Sequence, residues 1–303
     1  MKLKQVFEMK NLDYVIITAA KNEERYIRKT IEAIASQNLP PKEWIIVNDG
    51  STDKTEVIVK EFLENCKYIK LITRENRESR NFGSQVKSIN YGLSFLTKKD
   101  YGFIGNIDAD VSFGKNYFKN LIQKFIDNRK LGLAGGYLQE IGKDLKFKMR
   151  RLNSFNSVPH AVQLFRKECF DEIKGYVEMP FGGPDTIAEI SARMKGWEVR
   201  SFDDLIVYHH RKTSTAENRI RNLFKQGRMD NTVGYIALYE IIRCARRSFE
   251  NPIIISSIVR LAGYFYSKLA KDFSPVPKSI IDYSKREQLK ILKAKFHDYS
   301  AGA

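Results

Sequence analysis

The sequence holds little of what several protein classes need. Only three cysteines occur in 303 residues, Cys66, Cys169 and Cys244, scattered and odd in number. No CxxC pair and no Cys/His group with zinc spacing is present. A disulfide framework is thereby excluded, and the thiols read as buried or idle groups in a reducing compartment. No stretch offers about 20 uncharged apolar residues, so a clean spanning helix is not expected. The first residues, MKLKQVFEMK, lack the apolar core of a signal peptide, and the expected location is cytoplasmic. A glycine-rich phosphate loop with its lysine is missing, as is a GxGxxG fingerprint. There is no internal repeat and no low-complexity linker.

What is present suffices for a folded domain. The hydrophobic fraction is 43% and the aromatic fraction 12%, which excludes wholesale disorder. Lysine and arginine total 52 against 36 acids, a net charge of +16. Residues 211–303 hold 18 basic and 8 acidic side chains, a net +10, leaving +6 for the first 210. Such a basic C-terminal third suits an anionic partner: lipid headgroups, a phosphorylated acceptor or nucleic acid. A solvated lysine-rich surface is the plain alternative.

Along the first half, short apolar runs alternate with helical patterns. Strands are expected at 14–18, 44–47, 69–73, 101–107 and 132–137. Helices are expected at 23–36, 52–65, 84–96 and 116–128, the first with Ile27, Ile31 and Ile34 on one face. This rhythm predicts an α/β fold with a mostly parallel sheet flanked by helices. Ligands in such sheets sit outside the carboxyl ends of the strands. Those ends are polar here: Ala20-Lys21-Asn22-Glu23, Asn48-Asp49-Gly50-Ser51-Thr52-Asp53 and Asp108-Ala109-Asp110. The segment 140–160 reads as a mobile loop over the site. After about residue 210 the rhythm gives way to amphipathic helices, so the expected domains are 1–210 and 211–303.

Asp108-Ala109-Asp110 carries the most chemistry. Carboxylates two apart at a strand end can splay to opposite sides of the chain, one toward a cation and the other toward a ribose or water. Hard oxygen ligands suit Mg²⁺ or Mn²⁺, which neutralise a diphosphate. Alone, the triplet is common by chance and reads more readily as loop acids or a helix cap. Asp49, behind a glycine turn, could accept hydrogen bonds from a base or ribose, while its neighbours cap the next helix. Lys87 could reach a phosphate or remain solvated.

ITAAKNEERYIRKTI (17–31), IIVNDGSTDKT (45–55) and the DAD triplet, in this order, resemble family 2 glycosyltransferases of the GT-A fold. The resemblance covers roughly residues 12–215. Family members usually carry proline where Ala19 stands. The resemblance implies a nucleotide-sugar donor, a UDP-sugar ahead of a GDP-sugar, and a saccharide or lipid-linked acceptor. It places Ala19, Glu23 and Asp49 in the nucleoside pocket, Asp110 on the cation, and Asp108 on ribose or a cation-bound water. The family's general base falls at Asp185, where Pro184-Asp185 replaces the usual Glu-Asp; Glu189, one turn on, is the fallback, and Pro-Asp is also a helix-opening signature. His209 and His210 adjoin in a strand and so point to opposite faces, which lets at most one ligate. Resemblance favours His209 for the cation and Arg211 for the diphosphate. Gly135-Gly136 would be a flexible turn near the donor sugar.

Three classes of function stand side by side. The first is an inverting, metal-dependent glycosyltransferase at the cytoplasmic face of a membrane. The second is a nucleotidyltransferase-like enzyme. The third is a basic module without catalysis, although three acidic clusters on one rim would repel nucleic acid. The apolar stretches 234–239 and 252–259 are short, and Arg260 interrupts the second. They fit a membrane interface, with Arg243, Arg246, Arg247, Lys268 and Lys271 near anionic headgroups, or a helical pair packed on the domain or on a second copy of the chain.

Overall fold

The computed structural model describes residues 12–75, 82–142, 144, 146–150, 153–211, 216–247 and 254–301. Residues 252 and 253 of the apolar stretch 252–259 lie outside them. The chain divides into two compact units, residues 1–176 with 195–212, and residues 177–194 with 213–303.

The first unit is built on a nine-stranded sheet of order β3-β2-β1-β4-β8-β6-β9-β5, with β7 paired to β6. Its strands are β1 (Tyr14–Ala20), β2 (Glu43–Asn48), β3 (Ile69–Thr73), β4 (Phe103–Ile107), β5 (Val111–Phe113), β6 (Leu131–Ile141), β7 (Phe147–Met149), β8 (Val162–Arg166) and β9 (Glu198–His209). Its helices are α1 (Ile27–Ala35), α2 (Thr55–Phe62), α3 (Phe82–Leu93), α4 (Tyr117–Asp127) and α5 (Lys167–Ile173).

Strands β1 and β2 are buried almost throughout, as apolar runs covered on both faces must be. The apolar stripes of α1 (Ile27, Ile31, Ile34) and α4 (Phe118, Leu121, Ile122, Phe125) close the core with Tyr14 and Trp44. The two aromatic polar atoms are satisfied inside it. The Tyr14 hydroxyl donates to the Leu39 carbonyl at 2.6 Å, and the Trp44 indole N–H donates to Thr18 Oγ1 at 3.0 Å.

The parallel expectation holds for β3, β2, β1 and β4, whose connections carry helices. Beyond β4 the sheet is mixed. β8 runs antiparallel to both β4 and β6, and β9 runs parallel to β6. The expected mobile loop at 140–160 is in part ordered sheet, because β6 continues to Ile141 and pairs with β7. Gly135 and Gly136 are not a turn. They lie inside β6, where a Cβ on Gly136 would stand 2.1 Å from the Leu205 carbonyl oxygen and one on Gly135 2.5 Å from that of Val162. Glycine is needed there for close backbone approach.

The second unit is helical: α6 (Pro184–Met194), α7 (Ala216–Thr232), α8 (Ala237–Arg246), α9 (Ile255–Leu269) and α10 (Lys278–Ala301). Residues 177–194, which the sequence pattern groups with the sheet, pack here through Met179, Ile187 and Ile190 against Val233, Val276 and Ile280. Among the described residues, no helix is long and apolar enough to cross a membrane.

Arg243 and Arg260, read from the sequence as headgroup-facing and span-breaking, turn inward instead. Arg243 Nη1 lies 2.9 Å from both Asp230 Oδ1 and Glu240 Oε2. Arg260 Nε lies 2.7 Å from Asp230 Oδ2 and 3.3 Å from Glu240 Oε1. Both carboxylates are fully buried, so the charges compensate one another where water cannot. Removing one member leaves uncompensated charge. Asp230→Ala is therefore expected to cost about 3–5 kcal/mol in urea unfolding. Alanine at the exposed Arg246 should stay within about 0.5 kcal/mol.

Candidate active site

Because β1, β2 and β4 are parallel neighbours, their carboxyl ends share one edge of the sheet. Ala20 pairs with Asn48, and Ile17 with Asn106. The antiparallel β8 restores the direction in β6 and β9, so β9 also ends at this edge, with His209 as its last residue. The four polar strand ends thus meet by topology.

The loops after β1 and β2 are stitched together. Asn22, in the left-handed region at φ 54°, accepts the Thr52 N–H through Oδ1 at 2.8 Å. Its own N–H donates to Ser51 Oγ at 3.0 Å. The Glu23 N–H donates to Thr55 Oγ1 at 2.7 Å. Asp53, rather than Thr52, serves the start of α2, its Oδ1 accepting the Thr55 N–H at 3.0 Å. These bonds fix where Glu23 and Asp49 stand. Asp49 is buried, and its carboxylate takes Arg74 Nε at 2.8 Å and the Ser84 hydroxyl at 2.8 Å.

The carboxylates of the triplet part company. Asp108 accepts from Gln85 Nε2 at 2.8 Å and stands 3.5 Å from His160 Nδ1. Asp110, only 3% exposed, takes Arg211 Nε on Oδ2 at 2.7 Å and has His209 Nε2 3.4 Å from Oδ1. The Arg211 guanidinium also holds the buried Glu23 carboxylate through Nη2 and lies 5.1 Å over the Tyr26 ring. Burial alone would raise the Asp110 carboxyl. The hydrogen bond from His209 and the charges of His209 and Arg211 outweigh it and bring the pKa down to about 2. His209 in turn is raised: burial opposes its charge, but the bond to Asp110 and the charges of Asp110, Asp108 and Glu140 prevail. His210 points away from it, 2.8 Å from Ser112 Oγ.

Glu23, Asp110, His209 and Arg211, each a candidate from the sequence, are thus assembled, with Asp108 beside them and Asp49 on the adjoining loop. Ala19 lies at the end of β1, half-buried. Lys87 is exposed on α3, and the residues of that helix that reach the carboxylates are Ser84 and Gln85. Gln85, His160, Arg74 and Ser84 carried no motif. His160 comes to the site because β8 runs antiparallel beside β4, where Asn106 Nδ2 donates to the His160 carbonyl at 2.8 Å. Asp185 opens α6 in the second unit, with Oδ1 accepting the Thr186 N–H at 2.8 Å. Glu189 is buried 3.8 Å from Arg193 Nη1 and reads as structural.

Among the described residues, no group of three or more His, Cys, Asp and Glu is arranged to hold a metal. The donor types nonetheless fit a hard cation of the Mg²⁺ class. Such ions take one or two carboxylates and complete their shell with water and substrate phosphate, without an all-protein cage.

The glycosyl transferase family 2 model matches residues 15–183, more than half the chain, and the chain belongs to that family. The poly-β-1,6-N-acetyl-D-glucosamine synthase of Staphylococcus epidermidis is 26% identical over 213 residues, 64% of this chain and 47% of that one. The chain therefore spans about half the length of the curated relatives it matches. Among solved structures, the mannosyltransferase PcManGT of Pyrobaculum calidifontis, in complex with GDP-Man and Mn²⁺, has a TM-score of 0.56 at 15% identity, covering 85% of this chain and 72% of that one. S. aureus TarS in complex with UDP-GlcNAc has a TM-score of 0.53 at 15% identity, covering 86% and 73%. These likenesses establish an α/β fold of the GT-A type.

Arg211 is the cation shared by two buried carboxylates, so its loss and theirs must be coupled. Arg211→Met is expected to cost about 1–3 kcal/mol in urea unfolding. Adding Glu23→Gln should recover part of that loss, with a coupling energy of about 0.5–3 kcal/mol. Strictly additive single and double variants would contradict the shared role.

Proposed function

We propose that this family 2 member moves a sugar from a nucleoside diphosphate sugar to an acceptor hydroxyl, with inversion, in the making of a cell-surface glycan or lipid-linked saccharide. The convergence of Glu23, Asp110, His209 and Arg211 at one sheet edge carries this reading. A site holding both buried carboxylates and a guanidinium suits a cation–diphosphate pair better than either ion alone.

In this reading Asp49 and Glu23, with the backbone at Ala19, receive the nucleoside, a uridine ahead of a guanosine. Asp110 and His209 would hold Mn²⁺ or Mg²⁺, with Asp108 on a cation-bound water or the ribose. That ion supplies charge neutralisation for the leaving diphosphate. Arg211 adds a second positive charge, for which it must leave Glu23. Asp185 takes the proton from the acceptor hydroxyl. The acceptor oxygen then bonds to the anomeric carbon while the bond to the diphosphate oxygen breaks, and the nucleoside diphosphate departs from the opposite face. A single displacement of this kind inverts the anomeric centre. Residues 1–210, which include α6, would supply the chemistry, and residues 211–303 a position on the cytoplasmic face of a membrane, where lipid-linked acceptors reside.

The reading is tested by slow hydrolysis of a panel of UDP-, GDP- and dTDP-sugars with Mn²⁺. Turnover of one donor class is expected; no turnover and no metal-dependent nucleotide binding would remove it. Asp110→Asn should weaken metal-dependent donor binding. Asp185→Asn should leave donor binding intact and lower transfer about 10²–10⁴-fold. Transfer retained in Asp185→Asn would place the base elsewhere.

A further inference from the structure

Helix α9 is inside out. An ordinary surface helix turns its apolar stripe to the core and its polar face to water. The residues that α9 buries are Ser256, Ser257, Arg260, Gly263, Tyr264 and Ser267. Four of them show why they are inside. Arg260 belongs to the buried charge cluster with Asp230 and Glu240. The Ser257 hydroxyl donates to the Cys244 carbonyl at 2.6 Å, and Ser267 Oγ accepts from Asn231 Nδ2 at 3.0 Å. Gly263 lets α9 meet the backbone of α7: a Cβ there would stand 2.1 Å from the Phe224 carbonyl oxygen. Gly227 of α7 answers it, where a Cβ would stand 1.9 Å from the Arg260 carbonyl oxygen.

The opposite face carries Ile255, Ile258, Phe265 and Leu269, with Phe273 just beyond the helix. Ile258 is 60% exposed, Leu269 84% and Phe273 77%. Nothing about this stripe suits water. Its spacing of three and four residues would also suit a helical seam with a second copy, but the helix holds two heptads where a stable coiled coil needs about three or four. The charge decides between the two. Helix α9 contains no Asp or Glu, while Lys268, Lys271 and Arg246 are exposed on it, after it and on α8. Two copies would bring like charges together; an anionic surface would be met by them.

We infer that the outward face of α9 is a docking surface for an anionic lipid bilayer, with Ile258, Phe265 and Leu269 entering the headgroup boundary and Lys268 and Lys271 meeting lipid phosphates. The helix lies in the interface, since neither it nor any other described helix is long and apolar enough to span. The inference gives a molecular surface to the membrane-side position proposed above and rests on that position for its purpose alone.

The test is flotation of the full chain with vesicles of equimolar phosphatidylglycerol and phosphatidylcholine, against pure phosphatidylcholine. Binding is expected to the anionic vesicles and to fall with salt. Ile258→Asp with Leu269→Asp should weaken it at least tenfold, and Lys268→Ala about fivefold. Thermal melting of each variant is read alongside, so that lost binding counts only where the fold is retained. Absence of the folded wild-type chain from the anionic vesicles would overturn the inference. Unchanged flotation of the folded Ile258→Asp, Leu269→Asp variant would do so too. If sedimentation instead shows a dimer that this variant dissolves, the face is an interface between copies and the lipid assignment fails. Donor hydrolysis in solution is independent of all these outcomes, so failure of the docking surface leaves the transferase reading standing, and the reverse.

Discussion

Glu23 and Asp110 come from loops nearly ninety residues apart and are both buried, within reach of a single guanidinium. Two carboxylates in such a place would repel one another and lose their hydration. Arg211, two residues beyond β9, makes the arrangement tolerable. With His209 it holds Asp110 ionised, and through Glu23 it draws the loop after β1 against the turn after β4. A site organised this way is charge-balanced on its own, and in the proposed function its balance would be redrawn by a diphosphate and a cation entering together.

The sheet places these residues without further help. Parallel pairing of β1, β2 and β4 lines up the first three acidic ends, and the antiparallel β8 returns the direction so that β9 ends beside them. The glycines of β6 permit the close strand contacts that bring β9 into place. Membership of glycosyl transferase family 2 and likeness to GT-A structures agree with a sheet of this kind.

Much of this was legible in the chain. The alternation of apolar runs and helical stripes marked β1 to β4 and α1 to α4 to within a few residues. Asp49, Asp108 and Asp110 stood out because strand ends are where such sheets do chemistry. His209 and His210 separated as strand neighbours must. What the sequence hid depended on distant pairing. His160 reaches Asp108 only because β8 lies antiparallel to β4, and β8 has no helix before it to announce a crossover. Gln85 and Ser84 look like ordinary polar helix residues until α3 is set against the rim. Arg243 read as surface charge and Arg260 as a break in an apolar run because their partners, Asp230 and Glu240, lie on other turns and other helices. The outward stripe of α9 was visible as apolar, but which side faced inward depended on that charge cluster.

The central claim is that the rim takes up a cation and a nucleoside diphosphate as one unit. Electron paramagnetic resonance of Mn²⁺ tests it most directly. The signal of free Mn²⁺ should fall further when UDP or GDP is added with the protein than with protein or nucleotide alone, because each ligand strengthens the other's binding. A free-ion signal in the presence of protein equal to that with nucleotide alone, for both nucleotides, would contradict the account.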